Sequence, residues 1–153
     1  MNKDGNKIAL LISISSIIIV IGYVLSTVTS NTPVHDTSSY VGVKRDIFLF
    51  TSEMAEFNET KMGMPKDTFT PDTISVYKGD TLLIHFFNTE AEGGDTHSFT
   101  IYSKPYNVNV VLNPGQNKTI TINANTTGIY RYICTFHPPT MTGNLVVLEP
   151  PTK

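Results

Sequence analysis

The chain has 153 residues, a formal net charge of −2 and a single cysteine. This length suits one domain of ordinary size plus an appendage. One cysteine excludes an intramolecular disulfide, so the fold must depend on its own core. The chain shows neither a basic stripe nor a stacked aromatic array, and we therefore expect no nucleic acid among its partners.

The first element is a long uncharged run, IALLISISSIIIVIGYVLSTV, at residues 8–28. As an α-helix at about 1.5 Å per residue it would span roughly 30 Å, the thickness of a bilayer's hydrocarbon core. Lys3 and Lys7 precede the run, whereas the next cations are Lys44 and Arg45, and this bias predicts a cytoplasmic N-terminus. A cleaved signal peptide is the alternative, but its apolar region is usually about 7–15 residues long. We therefore expect a retained transmembrane anchor and a domain on the outer face, periplasmic or extracellular.

The next stretch, TSNTPVHDTSSYVG at residues 29–42, is rich in Ser, Thr and Asn. Such a stretch cannot bury enough apolar surface to order itself, which predicts a flexible tether. It would join the anchor and the cytoplasmic residues 1–7 to a domain at 43–149. His35 lies in the tether, where we expect a solvated side chain rather than a ligand.

From residue 43 onward, short β-type runs alternate with Gly, Pro and Asn. Eight runs are predicted as strands: VKRDIFLFT, TISVY, TLLIHFFN, HSFTIY, VNVVL, NKTITIN, IYRYIC and NLVVLE. Their spacing, mostly about 8–12 residues, is typical of an all-β sandwich or barrel. Between the first two runs the pattern is irregular, and residues 52–62 could form one or two helical turns.

The strand GIYRYIC indicates which of its faces is buried. Side chains alternate along a strand, so Tyr130, Tyr132 and Cys134 share one face and Arg131 lies on the other. Because Arg131 prefers water, the tyrosine face should point into the sandwich. Cys134 then ends a strand just before a proline-bearing loop.

That loop, ICTFHPPTMTG, carries the spacing Cys-x2-His-x3-Met with Cys134, His137 and Met141. A thiolate, an imidazole and a thioether are the soft ligands that suit copper, and two histidines with a cysteine and a weak axial methionine form an electron-transfer site. One more histidine is needed, and His97 in GGDTHSFTI, after a glycine turn, is the candidate. A lone exported thiol would oxidise unless something occupied it.

These segments resemble the cupredoxins, the small blue copper proteins that include plastocyanin, amicyanin and azurin. The resemblance rests on TISVYKGDTLLIHFFN, THSFTI and GIYRYICTFHPPTMTGNLVVL and covers nearly all of residues 43–149. It implies a Greek-key β-sandwich of about eight strands that holds one type 1 copper ion. It also implies His97, Cys134 and His137 as equatorial ligands, with Met141 as the long axial one. The gap of three residues before the methionine lies between the amicyanin-type and plastocyanin-type loops and does not fix the subfamily.

The resemblance also assigns roles to residues beside the ligands. Ser98 and Thr135 follow two of them, and in the family these positions often join the ligand segments and let a backbone N–H reach the thiolate sulfur. We expect the loop histidine to be the ligand nearest the surface. An apolar docking patch for redox partners would surround it, formed by Pro138 and Pro139, with Pro105 as a further candidate.

The leading hypothesis is a membrane-anchored electron carrier with a monomeric domain, not an enzyme, that serves membrane-associated redox proteins. A copper chaperone or storage protein is one alternative, in which Met62 and Met64 would join an open Cu(I) site. A single-copper redox enzyme is another, and it would need an open coordination position that Met141 would fill. A metal-free adhesion sandwich is disfavoured by the constellation of four candidate ligand residues. One cysteine excludes a binuclear oxidase centre, and the lack of further histidine-rich clusters excludes a multicopper oxidase.

Other candidate ligands have simpler interpretations. His85 alternates with Leu83 and Phe87 inside a strand, so we expect it to be packed or to face the surface. The methionines around Pro65 are dispersed, which favours packing or loop positions for Met54, Met62 and Met64.

Overall fold

The computed structural model describes residues 40–151. The predicted anchor at 8–28 and nearly all of the predicted tether lie outside the described residues. Within residues 40–151, no helix is long and apolar enough to cross a membrane. The anchor therefore stays a prediction.

The described residues form nine strands and one short helix, which confirms an all-β sandwich. In chain order these elements are β1 (Lys44–Glu53), α1 (Glu59–Met62), β2 (Asp67–Thr70), β3 (Thr73–Tyr77), β4 (Thr81–Phe87), β5 (His97–Ile101), β6 (Val108–Leu112), β7 (Asn117–Asn123), β8 (Gly128–Ile133) and β9 (Thr142–Leu148). The prediction of about eight strands missed β2. This strand has only four residues and lies at the edge of its sheet, paired with β1, so it carries little alternation of its own.

The strands form two sheets, one in the order β2-β1-β4-β7 and the other in the order β3-β9-β8-β5-β6. The β1–β4 and β3–β9 pairs are parallel, and the remaining pairs are antiparallel. Strand β4 shows the pattern that builds the interior: Leu82, Ile84 and Phe86 are buried, while the residues between them are partly exposed. The core lies between the two sheets.

Aromatic rings connect the two sheets across this core. The Phe69 ring lies 6.1 Å from that of Phe86 and 5.1 Å from that of Tyr132, between ring centroids. Phe99 lies 6.2 Å from Phe86 and 5.1 Å from Tyr132. All four side chains are buried. Large rings of this kind dominate the energy of a core, and here they hold β2, β4, β5 and β8 together.

Strand β8 has the orientation that its alternation predicts. Tyr130, Tyr132 and Cys134 are buried, whereas Ile129 is 71% exposed. The inward face therefore continues past the last residue of β8 and carries the cysteine into the interior at one end of the sandwich.

A buried carboxylate fastens the start of the domain. Asp80 accepts hydrogen bonds from the Tyr40 hydroxyl at 2.5 Å, from the Arg45 guanidinium at 2.6 Å, and from the backbone N–H groups of Val43 and Tyr77 at 2.9 and 3.1 Å. Burial opposes the charge on Asp80, but these four donors outweigh it and hold the pKa of the carboxyl well below its usual range. The last residues of the predicted tether, from Tyr40 on, thus contact the sandwich.

Candidate metal centre

Three predicted ligands converge at the end of the sandwich where β5 begins and β8 ends. His97 opens β5, Cys134 directly follows β8, and His137 lies in the loop to β9. The Sγ of Cys134 lies 3.8 Å from Nδ1 of His97 and 3.6 Å from Nδ1 of His137. The three donor atoms lie within 4.8 Å of one another and could hold one metal ion.

Met141 reaches the same point because the β8–β9 loop folds back on itself. The backbone N–H of Cys134 donates to the carbonyl of Met141 at 2.9 Å, and the N–H of Met141 donates to the carbonyl of His137 at 3.2 Å. The Met141 side chain is fully buried, and its Sδ lies 3.1 Å from Nδ1 of His97. The loop thus presents a thioether beside the thiol and the two imidazoles.

Ser98 and Thr135 join the two segments that carry the ligands. The backbone N–H of Ser98 donates to Sγ of Cys134 at 3.4 Å, and the N–H of Thr135 donates to Oγ of Ser98 at 2.9 Å. The two hydroxyls lie 3.0 Å apart, and Thr100 adds a bond to Ser98 at 3.1 Å. These bonds fix the distance between β5 and the loop, and one of them ends on the cysteine sulfur.

Three of the four donor side chains are fully buried, and the fourth reaches the surface. Cys134, Met141 and His97 are fully buried, whereas the side chain of His137 is 14% exposed. Burial, and then the neighbouring His137, lower the pKa of His97, which favours the neutral imidazole that a metal requires. A thiolate, two imidazoles and a thioether are the donors that suit copper, so the residues present fit this metal.

Sequence reasoning missed three carboxylates that lie behind the histidine rings. The two oxygens of Asp67 lie 3.8 Å from Nε2 of His97 and 3.9 Å from Nε2 of His137. Glu90 lies 3.7 Å from Nε2 of His97, and Asp95 lies 3.8 Å from Nε2 of His137. Their sequence positions carried no signal, because they belong to β2 and to the β4–β5 loop and meet only in the folded chain.

Asn88 is a further residue that the sequence analysis overlooked. It is buried at the end of β4, and its amide donates to the carbonyls of Asp95 at 2.9 Å and Leu112 at 3.0 Å. Its oxygen accepts from the backbone N–H of Glu90 at 3.1 Å. These bonds hold the loop that leads into His97. An asparagine that ends an apolar strand was the available signal.

The structure places two of the prolines considered for a docking patch beside the loop histidine. Pro138 and Pro139 are exposed and directly follow His137. The inclusion of Pro105 was wrong, because the β5–β6 loop lies at the other end of the sandwich, where the Tyr106 hydroxyl meets the backbone ahead of β8. Strand β5 begins at His97 and carries the chain to the far end of the sandwich. Pro105 follows that end of β5 and is therefore too far from His137 to join the patch.

His85 and the methionines near Pro65 have the environments expected of them, whereas His35 lies outside the described residues. His85 faces outward, with Nε2 2.8 Å from Asp46 and Nδ1 2.9 Å from Thr119. Met62 is exposed on α1. Met64 lines an open groove together with His137, a position that bears on the copper-handling alternative.

A two-sheet sandwich with a buried thiol, two imidazoles and a thioether at one end defines a small metal-binding β-protein. The chain belongs to the cupredoxin-like domain family, whose model matches residues 41–147. The resemblance to the cupredoxins is thereby confirmed. No curated protein matches the sequence.

Known structures share the sandwich. Auracyanin A, a "blue" copper protein from Chloroflexus aurantiacus, is 21% identical, with 69% of this chain and 99% of that chain covered and a TM-score of 0.50. Auracyanin from Roseiflexus castenholzii is 20% identical, with coverages of 70% and 99% and a TM-score of 0.50. Copper nitrite reductase from Nitrosomonas europaea is 20% identical, with coverages of 68% and 41% and a TM-score of 0.51. At these identities the likeness shows the fold alone.

Proposed function

We propose that this protein is a one-electron carrier that binds a single copper ion between His97, Cys134 and His137, with Met141 as the weak axial ligand. The observation that carries the proposal is the convergence of both Nδ1 atoms on the cysteine sulfur, at 3.8 and 3.6 Å. A copper ion held there would supply the Cu(II)/Cu(I) couple. The chain supplies the donor set, its geometry and the exclusion of water.

Rigidity of the donor set favours electron transfer, because little has to move between the two oxidation states. Hydrogen bonds from the Ser98 and Thr135 backbones tie the cysteine sulfur and its loop to β5. The loop itself is closed by the bonds between Cys134, Met141 and His137. Supporting contacts of this kind orient ligands and tune the metal that they hold.

The exposed edge of His137 is the proposed route for the electron. This side chain is 14% exposed, while the other three donors are fully buried. Pro138 and Pro139 are exposed beside it, and Phe136 is 50% exposed. A small apolar patch around a ligand edge suits the brief encounters of redox proteins, which use small interfaces.

We propose further that the domain is tethered outside the cytoplasmic membrane and serves membrane-associated donors and acceptors. The uncharged run at 8–28 and the lysines ahead of it support this topology. A tether at 29–42 would confine the carrier near its partners and raise their effective concentration. The domain would act as a monomer.

Copper handling is the second candidate, and one observation favours it. Met64 and His137 line the same open groove, so a thioether faces the groove that the exposed ligand edge also reaches. A chaperone would use Met64 to pass Cu(I) to or from the site. A single-copper enzyme is less favoured, because the buried Met141 side chain fills the position that a substrate would need.

The test is the visible spectrum of the full chain loaded with Cu(II). We expect an intense thiolate-to-copper charge-transfer band that is lost in Cys134→Ala and in His97→Ala. His85→Ala is the matched control and should keep the band, because this histidine faces outward. A colourless chain that binds only Cu(I), and that needs Met64 to do so, would replace the carrier with the chaperone.

A further inference from the structure

The second nitrogens of the two histidines share one buried carboxylate. Both Nδ1 atoms face the cysteine sulfur, so both Nε2 atoms face the opposite way. There Asp67 presents Oδ1 to His97 at 3.8 Å and Oδ2 to His137 at 3.9 Å. One carboxylate therefore contacts both proposed equatorial histidines from behind.

Burial sets Asp67 apart from the other acidic groups at this site. Its side chain is 5% exposed, against 22% for Glu90 and 70% for Asp95. Solvent screens the charge of Asp95 and, in part, that of Glu90, whereas it screens Asp67 little. Within residues 40–151, Asp67 forms ion-pair contacts with His97 and His137 only.

The fold explains how a residue so far from the ligands in sequence reaches them. Asp67 is the first residue of β2, where it pairs with Glu53 of β1 in the four-stranded sheet. The histidines belong to the end of the other sheet. Asp67 thus closes the site from the opposite layer of the sandwich.

His97 has a buried ring nitrogen, Nε2, that could donate to this carboxylate. Its Nε2 is the one buried side-chain nitrogen or oxygen in residues 40–151 without a hydrogen-bond partner. A buried polar atom left without a partner costs free energy. When Nδ1 gives its lone pair to a metal, Nε2 carries the proton and becomes a donor, and a carboxylate is the acceptor that commonly orients such a ring.

We propose that Asp67 is a positioning residue for both ligand histidines. Its carboxylate favours the proton on Nε2 of each ring, by its charge or through a water molecule, and leaves both Nδ1 lone pairs available to a metal beside the sulfur. Its negative charge also stabilises Cu(II) relative to Cu(I) and so lowers the reduction potential. The second part of this inference rests on the proposed electron-carrier function, whereas the first does not.

The first experiment needs no copper. The full chain is labelled with ¹⁵N-histidine, and the ring-nitrogen shifts of His97 and His137 are assigned with single-histidine variants in the metal-free protein. We expect Nε2–H in both rings of the wild type and a mixture of tautomers in Asp67→Asn. Asp46→Asn, beside the outward-facing His85, is the control that changes neither ring. Nδ1–H in both rings of the wild type would overturn the proposal.

The second experiment measures the reduction potential of the copper-loaded full chain. At a fixed applied potential, Asp67→Asn should raise the ratio of Cu(I) to Cu(II) about tenfold, which corresponds to about 59 mV for one electron. Asp67→Glu should restore most of the wild-type value. The exposed Asp95→Asn should change the ratio less than threefold.

Two outcomes would count against Asp67 as a positioning residue. One is an unchanged potential in a copper-loaded Asp67→Asn. The other is a second equivalent of bound metal in the wild type that this variant loses, since Asp67, Asp95 and His137 could themselves hold an ion. If the wild type binds no copper, the proposed function fails, while the histidine tautomers still test Asp67.

Discussion

The backbone N–H of Thr135 donates to the hydroxyl of Ser98 at 2.9 Å, and this bond joins the strand that carries His97 to the loop that carries Cys134. Two residues that are 37 positions apart thereby hold two ligand segments at a constant distance. The same serine supplies the N–H that reaches the cysteine sulfur at 3.4 Å. Positioning of the metal donors thus depends on contacts that lie one residue beyond the ligands.

Ser98→Ala should loosen this connection without removing a donor. The variant loses the oxygen that accepts from Thr135 and Thr100. We expect a loss of about 1–2 kcal/mol in the free energy of unfolding and a shifted charge-transfer band in the copper-loaded chain. Denaturant titration and absorption spectroscopy measure the two effects. Ser52→Ala removes an exposed hydroxyl contact and should change neither, and equal losses in both variants would contradict the assignment.

Met141→Leu tests the axial position. Leucine nearly conserves the buried volume, so stability should change by less than about 1.5 kcal/mol. Copper should still bind, because the other three donors remain. The reduction potential should rise, since Cu(II) loses more than Cu(I) when a donor is removed. Voltammetry checks this, with the exposed Met62→Leu as control; an unchanged potential would mean that Met141 is not a ligand.

The lowered pKa of Asp80 should make the free energy of unfolding depend on pH. Its pKa is lower in the folded chain than in the unfolded one, where it is about 3.9. The stability that it contributes is therefore complete above about pH 5 and is lost as the pH falls below about 4. Denaturation followed by tyrosine fluorescence across this range should show the decline, since the chain has seven tyrosines and no tryptophan.

The variant Asp80→Asn should remove much of that dependence. At pH 7 it should lose about 1–3 kcal/mol of stability, because the hydrogen bonds from Arg45 and Tyr40 would lose their charged acceptor. The decline in acid should become shallower. Glu149→Gln breaks an exposed pair with Lys78 and should cost less than about 0.5 kcal/mol. A steep acid decline that persists in Asp80→Asn would assign it to other groups.

Gly143→Ala tests a close approach between two strands. Gly143 in β9 pairs with Tyr132 in β8, and an added Cβ would overlap the buried ring of that tyrosine. The ring packs against Phe69 and Phe99, so it has little room to move, and we expect a loss of about 3 kcal/mol. Asn144→Ala, at the neighbouring exposed position, should cost little. Equal melting temperatures for the two variants would show that the ring can shift.

Local patterns were sufficient for most of the fold. In the strand GIYRYIC, Arg131 marks the outer face, and the structure buries Tyr132 and Cys134 on the opposite face as the two-residue period requires. Strand β2 was missed because its four residues follow a loop and pair only with β1 at the sheet edge. Pro105 was misplaced because spacing along the chain does not say at which end of the sandwich a loop lies.

The sequence by itself determined the donor chemistry of this protein. Ligand types and the spacing Cys-x2-His-x3-Met are local properties, and they identify a soft metal site before any folding is considered. Only the tertiary structure decided which groups face the far sides of the two histidine rings. Asp67 comes to them from the other sheet, by a strand register that no short-range pattern encodes. The metal-binding residues could therefore be predicted from the sequence. The charged groups around them depend on how the two sheets pack.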